Sequence, residues 1–570
     1  MIDGRVGALY RDLSLDRGRC LWNEHDVFLP DLKAHALLSL CLEAGVQVVL
    51  EATVCAALLE QGAVRGVAYA CGGRLHLAKA AMVIDATGDA DVAMLAGAGH
   101  SYGTASGALT YWASLAQYTT PSAYRNNFST MVHVGCPMDY TRFIMAGRTL
   151  GENMYDHGGY VALRESRHIK SLCDVTLDGL LAMGEPQGTL YQCFSNYDPK
   201  GRVTCDLVYA GLLPPNLMMN VPLGAVIPLG EGGAPIHGLL VGGKAIGCSH
   251  DALPGLRMQP DLQQQGFALG VLAAEAVRQR APAWEAKGVR GAIEAAGGQR
   301  IMEKNAQALG PEEMVAALTG QETLEWLDMD PGQFMPCQQP VIACFLAPSQ
   351  TMLPALRHAF SAEAEGTDRK LLLSRLLLWH GGQAGGPSVM ARIRDSLKGT
   401  RGLPRREGPV TFGQLLPDHG LMPETVYLLN TLAWCSHPDV PRLFEQVLDR
   451  LIRGPRDWRD LRSGVYCYVE SFAYVAARRS GDAFAPMLRA LLDLPELRES
   501  REGDLLLAER YLMLRLALGE ALARLGDPAG LQVLNSLAGC SARAIALSAR
   551  ALTSELSHAP GGCRVARRVF

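Results

Sequence analysis

The chain has 570 residues, more than one hydrophobic core normally holds, so at least two domains are expected. Its residues are 48% hydrophobic and 19% charged, a balance that excludes a disordered, collagen-like or coiled-coil chain. A formal net charge of -4 leaves no broad basic surface, so nucleic acid is not an expected partner.

The cysteines and the apolar segments suggest a cytoplasmic protein. Fifteen cysteines are scattered singly from Cys20 to Cys563, without C-x-x-C pairs or the Cys/His spacing of metal sites. Free thiols and no bound metal are therefore expected. The most apolar run, Leu217 to Leu229, is shorter than the roughly 20 residues of a membrane span and contains Asn220. We expect no secretory signal and no membrane contact.

Residues 1–103 alternate helical and strand periods, which predicts a layered α/β unit. The last predicted strand is almost continuously apolar, as is typical of a buried parallel strand. The predicted elements are a helix over Leu32 to Ala44, a strand over Val46 to Leu50, a hairpin of Val54 to Leu59 and Val64 to Ala70 around a Gln-Gly turn, and strands over Leu75 to Leu77 and Ala81 to Asp85.

Residues 104–235 interleave aromatic and polar residues, which indicates a mixed α+β insert that faces a substrate. Three of its histidines, His133, His157 and His168, are candidates for substrate contact without the spacing of a metal site. Residues 236–282 then return to a strand, a polar loop and a helix from about Asp261 to Arg278. Open α/β sheets bind their ligands at such a return.

A helical linker is predicted over residues 283–345, and helices follow one another over residues 346–570. Four segments, which start at Gly385, His437, Gly481 and Gly526, each open an amphipathic helix with Gly, Pro or Asp at its entry. Their spacing of roughly 44–52 residues is near the period of HEAT-type helical hairpins. An irregular helical bundle is the alternative.

The strongest motif runs from Val83 to Ala93, where an apolar strand breaks into a small-residue loop and then a helix. Ala86, Thr87 and Gly88 would let a cofactor approach the backbone closely. The alternative is an ordinary strand-to-helix turn that is capped by Asp89.

This motif and a second segment, Leu239 to Ala252 with Arg257, Pro260 and Gly266 to Gly270, closely resemble FAD-dependent oxidoreductases of the glutathione-reductase-like two-dinucleotide-binding superfamily. A weaker match is Phe28 to Lys33, followed by the chain around Val54. The resemblance covers roughly residues 20–280, and the helical repeats lie outside it.

The resemblance implies a Rossmann-like, doubly wound FAD-binding domain in two parts, residues 1–103 and 236–282. Its implied catalytic residues are His250, which would move a proton, and Arg257, which would stabilise the reduced flavin or bind a substrate carboxylate. In the alternative, Arg257 pairs with Asp251 or Asp261 and His250 caps a turn. The implied cofactor-binding residues are Val54, Ala86, Thr87, Gly88, Asp89, Gly242, Gly243, Asp251, Arg257, Gly266 and Gly270.

One part of the family pattern is missing from the sequence. Family members begin with a strand and a G-x-G-x-x-G loop that binds the FAD pyrophosphate, and Gly97, Gly99 and Gly103 do not have that spacing. The domain is therefore expected to be incomplete and its FAD affinity impaired. A truncated gene product, a partner chain that supplies the missing part, and a paralogue that has lost flavin binding are the three explanations.

Two functions compete at this stage. The first is a flavoenzyme that acts on a small organic substrate, with the insert covering the flavin. The second is a scaffold or adaptor whose helical repeats bind a partner protein, with a vestigial flavin-binding half. A further possibility is that the repeats serve as an intramolecular lid or a dimerisation element of an active enzyme.

Overall fold

An α/β section up to residue 288 precedes a helix-rich C-terminal half. The computed structural model describes residues 30–103, 112–120, 123–133, 135–149, 156–182, 188–193, 197, 199, 201, 204–212, 219–301, 310–318, 340–399, 402–407, 422–479, 481–498 and 505–557. Phe28 and Leu29 of the third matching segment lie outside these residues.

The first layer is helix α1 (Pro30–Glu43) and an antiparallel sheet of β1 (Thr53–Glu60), β2 (Ala63–Cys71) and β3 (Arg74–Lys79). The predicted hairpin is confirmed. Its turn residues, Gln61 and Gly62, have φ of 52° and 79°, which suits the primed turns that join twisted strands.

The predicted strand over Val46 to Leu50 is wrong. Residues 46–50 have no β-ladder partner in the described part of the chain, and most of their side chains are exposed. A β-branched run supplies strand propensity only, whereas a strand also needs a neighbour for its backbone hydrogen bonds.

A parallel pair of strands lies beside this layer. Strand β4 (Val83–Asp85) pairs with β12 (Leu239–Val241), so that Asp85 lies opposite Val241. Helix α2 (Asp91–Leu95) follows β4, and helix α6 (Gln259–Gln279) follows β12. Both strands and both helices were predicted. Gly238 fits here because a Cβ would lie 2.2 Å from the carbonyl oxygen of Val64 on β2.

The insert mixes strands and helices, as predicted. Strand β5 (His100–Tyr102) pairs antiparallel with β9 (Arg167–Ile169) of the insert. The other described elements are β6 (Ala113–Thr120), β7 (Ala123–Thr130), α3 (Pro137–Thr149), β8 (Asp156–Ala162), α4 (Leu177–Leu181), β10 (Thr189–Cys193), α5 (Asp206–Tyr209) and β11 (Met219–Pro222). Strand β6 lies between β7 and β8, and β10 pairs with β11.

The C-terminal half is built of helices that contact their neighbours along the chain. They are α7 (Val289–Ala295), α8 (Pro311–Ala316), α9 (Pro340–Leu346), α10 (Ser349–Ala362), α11 (Asp368–Trp379), α12 (Gly386–Leu397), α13 (Glu424–Thr431), α14 (Val440–Arg453), α15 (Val465–Ala476), α16 (Ala485–Leu492), α17 (Pro495–Arg498), α18 (Leu505–Arg524), α19 (Pro528–Leu537) and α20 (Arg543–Ser557). Helices α12, α14, α16 and α19 begin where the four entry segments predicted. At the last of them, the side chain of Asp527 accepts the N–H of Ala529 at 3.0 Å, as an N-cap should.

One hydrophobic core runs from the insert through α6 into the helical half as far as α18. Within the described ranges, no helix combines the length and the apolar character that crossing a bilayer requires. The domain boundaries after residues 103, 235, 282 and 345 stay predictions.

Candidate functional site

Two glycine-containing loops meet at the carboxyl ends of β4 and β12. Gly242 donates its N–H to the carbonyl oxygen of Asp85 at 2.8 Å, which holds the loops side by side. Gly88 and Gly243 have φ of +88° and +77°, and no protein atom lies within 4 Å of where a Cβ would stand on either. The backbone is therefore open to a ligand at the edge where α/β sheets bind one.

Asp85 fixes the first of these loops. Its buried carboxylate accepts the N–H of Thr87 at 3.0 Å, the hydroxyl of Thr87 at 2.7 Å and the N–H of Ala93 at 2.8 Å. The alternative role of Asp89 as a helix cap is therefore wrong, since residue 90 is the N-cap and has no side-chain cap. The carboxylate of Asp85, the last residue of β4, reaches the first turn of the helix. The carboxylate of Asp89 contacts Lys244 instead.

Asp89 instead connects the two loops. Nζ of Lys244, in the loop after β12, lies 3.1 Å from Oδ1 of Asp89 and donates to the carbonyl oxygen of Glu165 at 2.9 Å. From β9, Nε of Arg167 donates to the carbonyl oxygen of Asp89 at 2.7 Å, and the same guanidinium pairs with Asp91. Three separate segments are thus tied together around residues 86–91.

Gln265 on α6 holds the second loop. Its Oε1 accepts the N–H of Gly243 at 2.5 Å, and its Nε2 donates to the hydroxyl oxygen of Tyr191 at 2.8 Å. Gly242 packs against the same helix, because a Cβ there would lie 2.8 Å from Cδ1 of Leu269.

A buried cluster of Glu165, His168, Cys248 and His250 lies beside this loop. Nδ1 of His250 is 3.0 Å from Oε2 of Glu165, and Nε2 of His168 is 3.3 Å from Oε1 of the same carboxylate. Sγ of Cys248 is 3.3 Å from Nδ1 of His168. One carboxylate thus contacts two imidazoles, and one of these contacts a thiol.

The charges in this cluster stabilise one another. Burial alone would raise the pKa of Glu165, but the charge of His250 and hydrogen bonds from both histidines outweigh it and hold that pKa well below its usual range. Burial alone would lower the pKa of His168, yet Cys248 and Glu165 raise it to about 10. Glu165 is therefore a carboxylate and His168 an imidazolium at neutral pH.

The other predicted site residues are spread more widely. The carboxylate of Asp251 accepts the N–H and the hydroxyl of Thr204 at 2.9 and 2.6 Å. Arg257 is half-buried, with its NH1 3.7 Å from Sδ of Met258. Val54 is half-buried on β1, which packs on α2. Gly266 and Gly270 lie one turn apart on the exposed side of α6, with open space in front of both.

The structure therefore brings Ala86, Thr87, Gly88, Asp89, Gly242 and Gly243 together at two adjacent strand ends. His250 faces Glu165, while the turn that follows it is closed by the backbone carbonyl of Ser249. Sequence reasoning missed Asp85, Glu165, Lys244, Cys248 and Gln265. A strand-final Asp with Thr two residues later was a usable signal for the first, and the polar run over residues 164–168 for the second.

The C-terminal helices enclose a segment of the insert, residues 204–212. Asn430 on α13 donates to the carbonyl oxygen of Tyr209 at 2.9 Å, and the hydroxyl of Tyr209 donates to Glu470 on α15 at 3.1 Å. The buried carboxylate of Asp206 accepts from Tyr474 at 2.8 Å and from NH2 of Arg478 at 2.6 Å. The helical half thus holds residues 204–212 in place. Thr204 of this segment in turn binds the carboxylate of Asp251.

Open glycine loops at the ends of parallel strands are typical of α/β proteins that bind a nucleotide cofactor. The sequence profile of the FAD dependent oxidoreductase family matches residues 1–157 and 152–285, which together make up half of the chain. The chain belongs to the FAD-dependent oxidoreductase family, and the cofactor of that family is FAD. No curated protein matches this chain.

The residues at the strand ends fit this cofactor. Gly88 and Gly243 provide free approach to the backbone, and the loops that carry them are fixed from behind by Asp85 and Gln265. In the described residues, no group of three or more His, Cys, Asp or Glu side chains is arranged to hold a metal ion.

Proposed function

We propose that the chain is an FAD-dependent oxidoreductase that acts on a small organic substrate. FAD would lie across the carboxyl ends of β4 and β12, and the insert would supply the groups that handle protons. When bound, FAD supplies two-electron transfer, and the protein supplies position and electrostatics. The observation that carries the proposal is a buried pair whose side chains lie 3.0 Å apart: His250 in the loop between β12 and α6, and Glu165 just before β9.

The backbone of Ala86, Thr87, Gly88, Gly242 and Gly243 would hold the cofactor. The open space over both positive-φ glycines supports this assignment, since a ligand there meets no side chain. The ion pair between Lys244 and Asp89 would keep the two loops at a fixed separation. We also propose that β4 and β12 belong to a doubly wound sheet of the Rossmann type.

Gly266, Gly270 and Val54 extend this proposal. Gly266 and Gly270 present a smooth strip on the exposed side of α6, which suits close contact with a flat or extended ligand. For Val54, support is limited to its place on β1, against the helix that follows the first loop.

His250 would carry the proton of the reaction. Nδ1 of His250 lies 3.0 Å from Oε2 of Glu165, so Nε2 would be the nitrogen that exchanges a proton with the substrate. Glu165 orients the ring and stabilises its charged form, as the carboxylate of a catalytic triad does. Arg257 would stabilise negative charge that develops on the substrate or the reduced ring.

Asp251 would support the cofactor site without contacting FAD itself. Both of its carboxylate oxygens accept hydrogens from Thr204, so it would hold the insert against the residue next to His250. This assignment replaces direct cofactor contact by a positioning role.

The helical half would work within the same molecule. We propose a HEAT-like stack, because successive helices contact one another and four of them open with the same turn chemistry. Helices α13 and α15 bind residues 204–212 of the same chain. This contact favours a supporting role of the helical half in the enzyme over a role as a separate scaffold.

Titration of FAD with the purified chain tests the assignment. Binding should quench flavin fluorescence to saturation, and the separated protein should keep absorbance bands at about 370 and 450 nm. The variant His250→Gln should bind FAD as wild type does and lose at least about tenfold in flavin-dependent turnover. A chain that stays colourless at saturating FAD would contradict the proposal.

A further inference from the structure

The thiol of Cys248 lies at one end of a buried hydrogen-bonded chain. Its Sγ is 3.3 Å from Nδ1 of His168, and Nε2 of His168 is 3.3 Å from Oε1 of Glu165. Cys248 is 6% exposed, His168 2% and Glu165 1%. A nucleophile, an imidazole and a carboxylate thus follow one another in the order that activates serine and cysteine nucleophiles.

Two other buried cysteines, Cys193 and Cys467, have different surroundings. Burial raises the pKa of Cys193 on β10 and of Cys467 on α15 well above the ordinary value, as expected for inert structural thiols. Cys248 differs from them in its contacts, because an imidazole that contacts a carboxylate lies 3.3 Å from its sulfur.

The charged groups around this pair come from several elements. Glu165 and His250 lie on the far side of His168, and Tyr191 on β10 faces Cys248. Asp174 contacts the turn at Ser171, beside the residue that precedes Cys248. The acidic groups favour the imidazolium form of His168.

We propose that Cys248 is an activated cysteine, paired with His168 at 3.3 Å, and that small hydroperoxides oxidise it to a sulfenic acid. The thiolate sulfur attacks one peroxide oxygen and the O–O bond breaks. The leaving oxygen takes the Nδ1 proton of His168, so a hydroperoxide ROOH yields ROH and Cys–SOH. Sulfur loses two electrons and the peroxide gains them. Glu165 acts as a positioning residue that keeps His168 protonated.

This inference does not rest on the flavin reaction, because only protein groups and peroxide enter the step. The small exposed fraction of Cys248 limits the reagent to a small molecule, which a hydroperoxide is. The experiments can therefore use the full chain without added FAD.

The first experiment measures alkylation of each cysteine by iodoacetamide between about pH 6 and pH 8, with peptide mass spectrometry. An ordinary thiol with a pKa near 8.5 slows on the order of 100-fold over this interval, because its thiolate fraction falls. For Cys248 the expected change is less than about threefold. N-acetylcysteine in the same tubes is the reference, and Cys193 is the buried control. A steep pH profile at Cys248, or no modification at any pH, overturns the proposal.

The second experiment adds hydrogen peroxide with dimedone, which traps sulfenic acids. The adduct is expected at Cys248 in the wild-type chain, and at least about tenfold less of it in His168→Gln. His76→Gln, the same change on the exposed strand β3, should leave the yield unchanged. Circular dichroism checks that His168→Gln is folded, and the wild-type pH profile stands without any variant. An equal yield in the folded His168→Gln, or no adduct in the wild-type chain, overturns the proposal.

Discussion

Thr204 donates both its backbone N–H and its hydroxyl to the carboxylate of Asp251, at 2.9 and 2.6 Å. Two residues further along, Asp206 accepts hydrogen bonds from Tyr474 and Arg478 in the helical half. A short segment thus connects the helices to the residue that follows His250. A substitution at either end of this segment should therefore disturb the structure at the other end.

The substitution Asp206→Asn should destabilise the protein by about 3 kcal/mol, because it leaves the buried guanidinium of Arg478 without its counter-charge. Urea unfolding, followed by circular dichroism, measures the change. The exposed pair of Asp493 and Arg498 provides the control, and Asp493→Asn should change stability by less than about 0.5 kcal/mol. Equal effects of the two variants would show that the segment is not held by this carboxylate.

His168 should make stability depend on pH in the alkaline range. Its pKa is raised from the ordinary 6.5 to about 10, so the folded state binds a proton that the unfolded state loses. The stabilisation is complete below about pH 6.5 and is lost as the pH rises through about 10. The stability difference between wild type and His168→Gln should therefore shrink from about pH 6 to about pH 10. A difference that grows over this interval, in urea midpoints, would refute the assigned charge.

Glu509 should make the protein less stable as the pH rises, whereas an ordinary ion-paired carboxylate makes a protein more stable. Burial raises its pKa to about 8, although Arg142 at 3.4 Å lowers it and the N–H of Met131 donates to Oε2 at 3.2 Å. The folded state therefore binds an extra proton between the ordinary value of 4.5 and about 8, and stability from this group falls as the pH rises through that window.

The variant Glu509→Gln tests this directly, since an amide can still accept the N–H of Met131 but does not titrate. The urea midpoint of the variant should rise relative to that of wild type as the pH is raised from about 5 to about 8. Parallel midpoints for both proteins across the window would mean that Glu509 does not take up the proton.

Two glycines of α6 should report on the cofactor. A Cβ at Gly266 or Gly270 meets no protein atom within 4 Å, so the fold should tolerate leucine there, but a bound ligand would be pushed away. FAD affinity is expected to fall at least about tenfold. Gly291→Leu on α7, which also opens to free space, is the matched control and should bind FAD as wild type does. If all three variants bind FAD equally, the exposed side of α6 is not part of the site.

Local sequence patterns predicted the elements that local chemistry determines. The hairpin around Gln61 and Gly62 follows from a turn that accepts positive φ, and helix α19 follows from a capping Asp before a proline. The strand over residues 46–50 was predicted wrongly because its propensity says nothing about a partner.

The cluster of Glu165, His168 and Cys248 was out of reach for a different reason. Glu165 and Cys248 are more than eighty residues apart, and pairings between distant segments bring them together, among them β5 with β9 and the bridge between Val175 and Cys248. Side-chain contacts of this kind depend on topology, which periodicity does not encode. The family resemblance marked the loop that contains His250 but carried no information on its partner across the insert.

The enclosed segment 204–212 has a consequence for how the molecule melts. Leu207, Val208 and Tyr209 lie in the same apolar core as helices α11, α13 and α15, so neither half has a complete interior by itself. Cutting the chain between the halves would expose that interior on both pieces and drive them to aggregate. A calorimetric scan should therefore record one cooperative transition for both halves, and each half expressed alone should be insoluble.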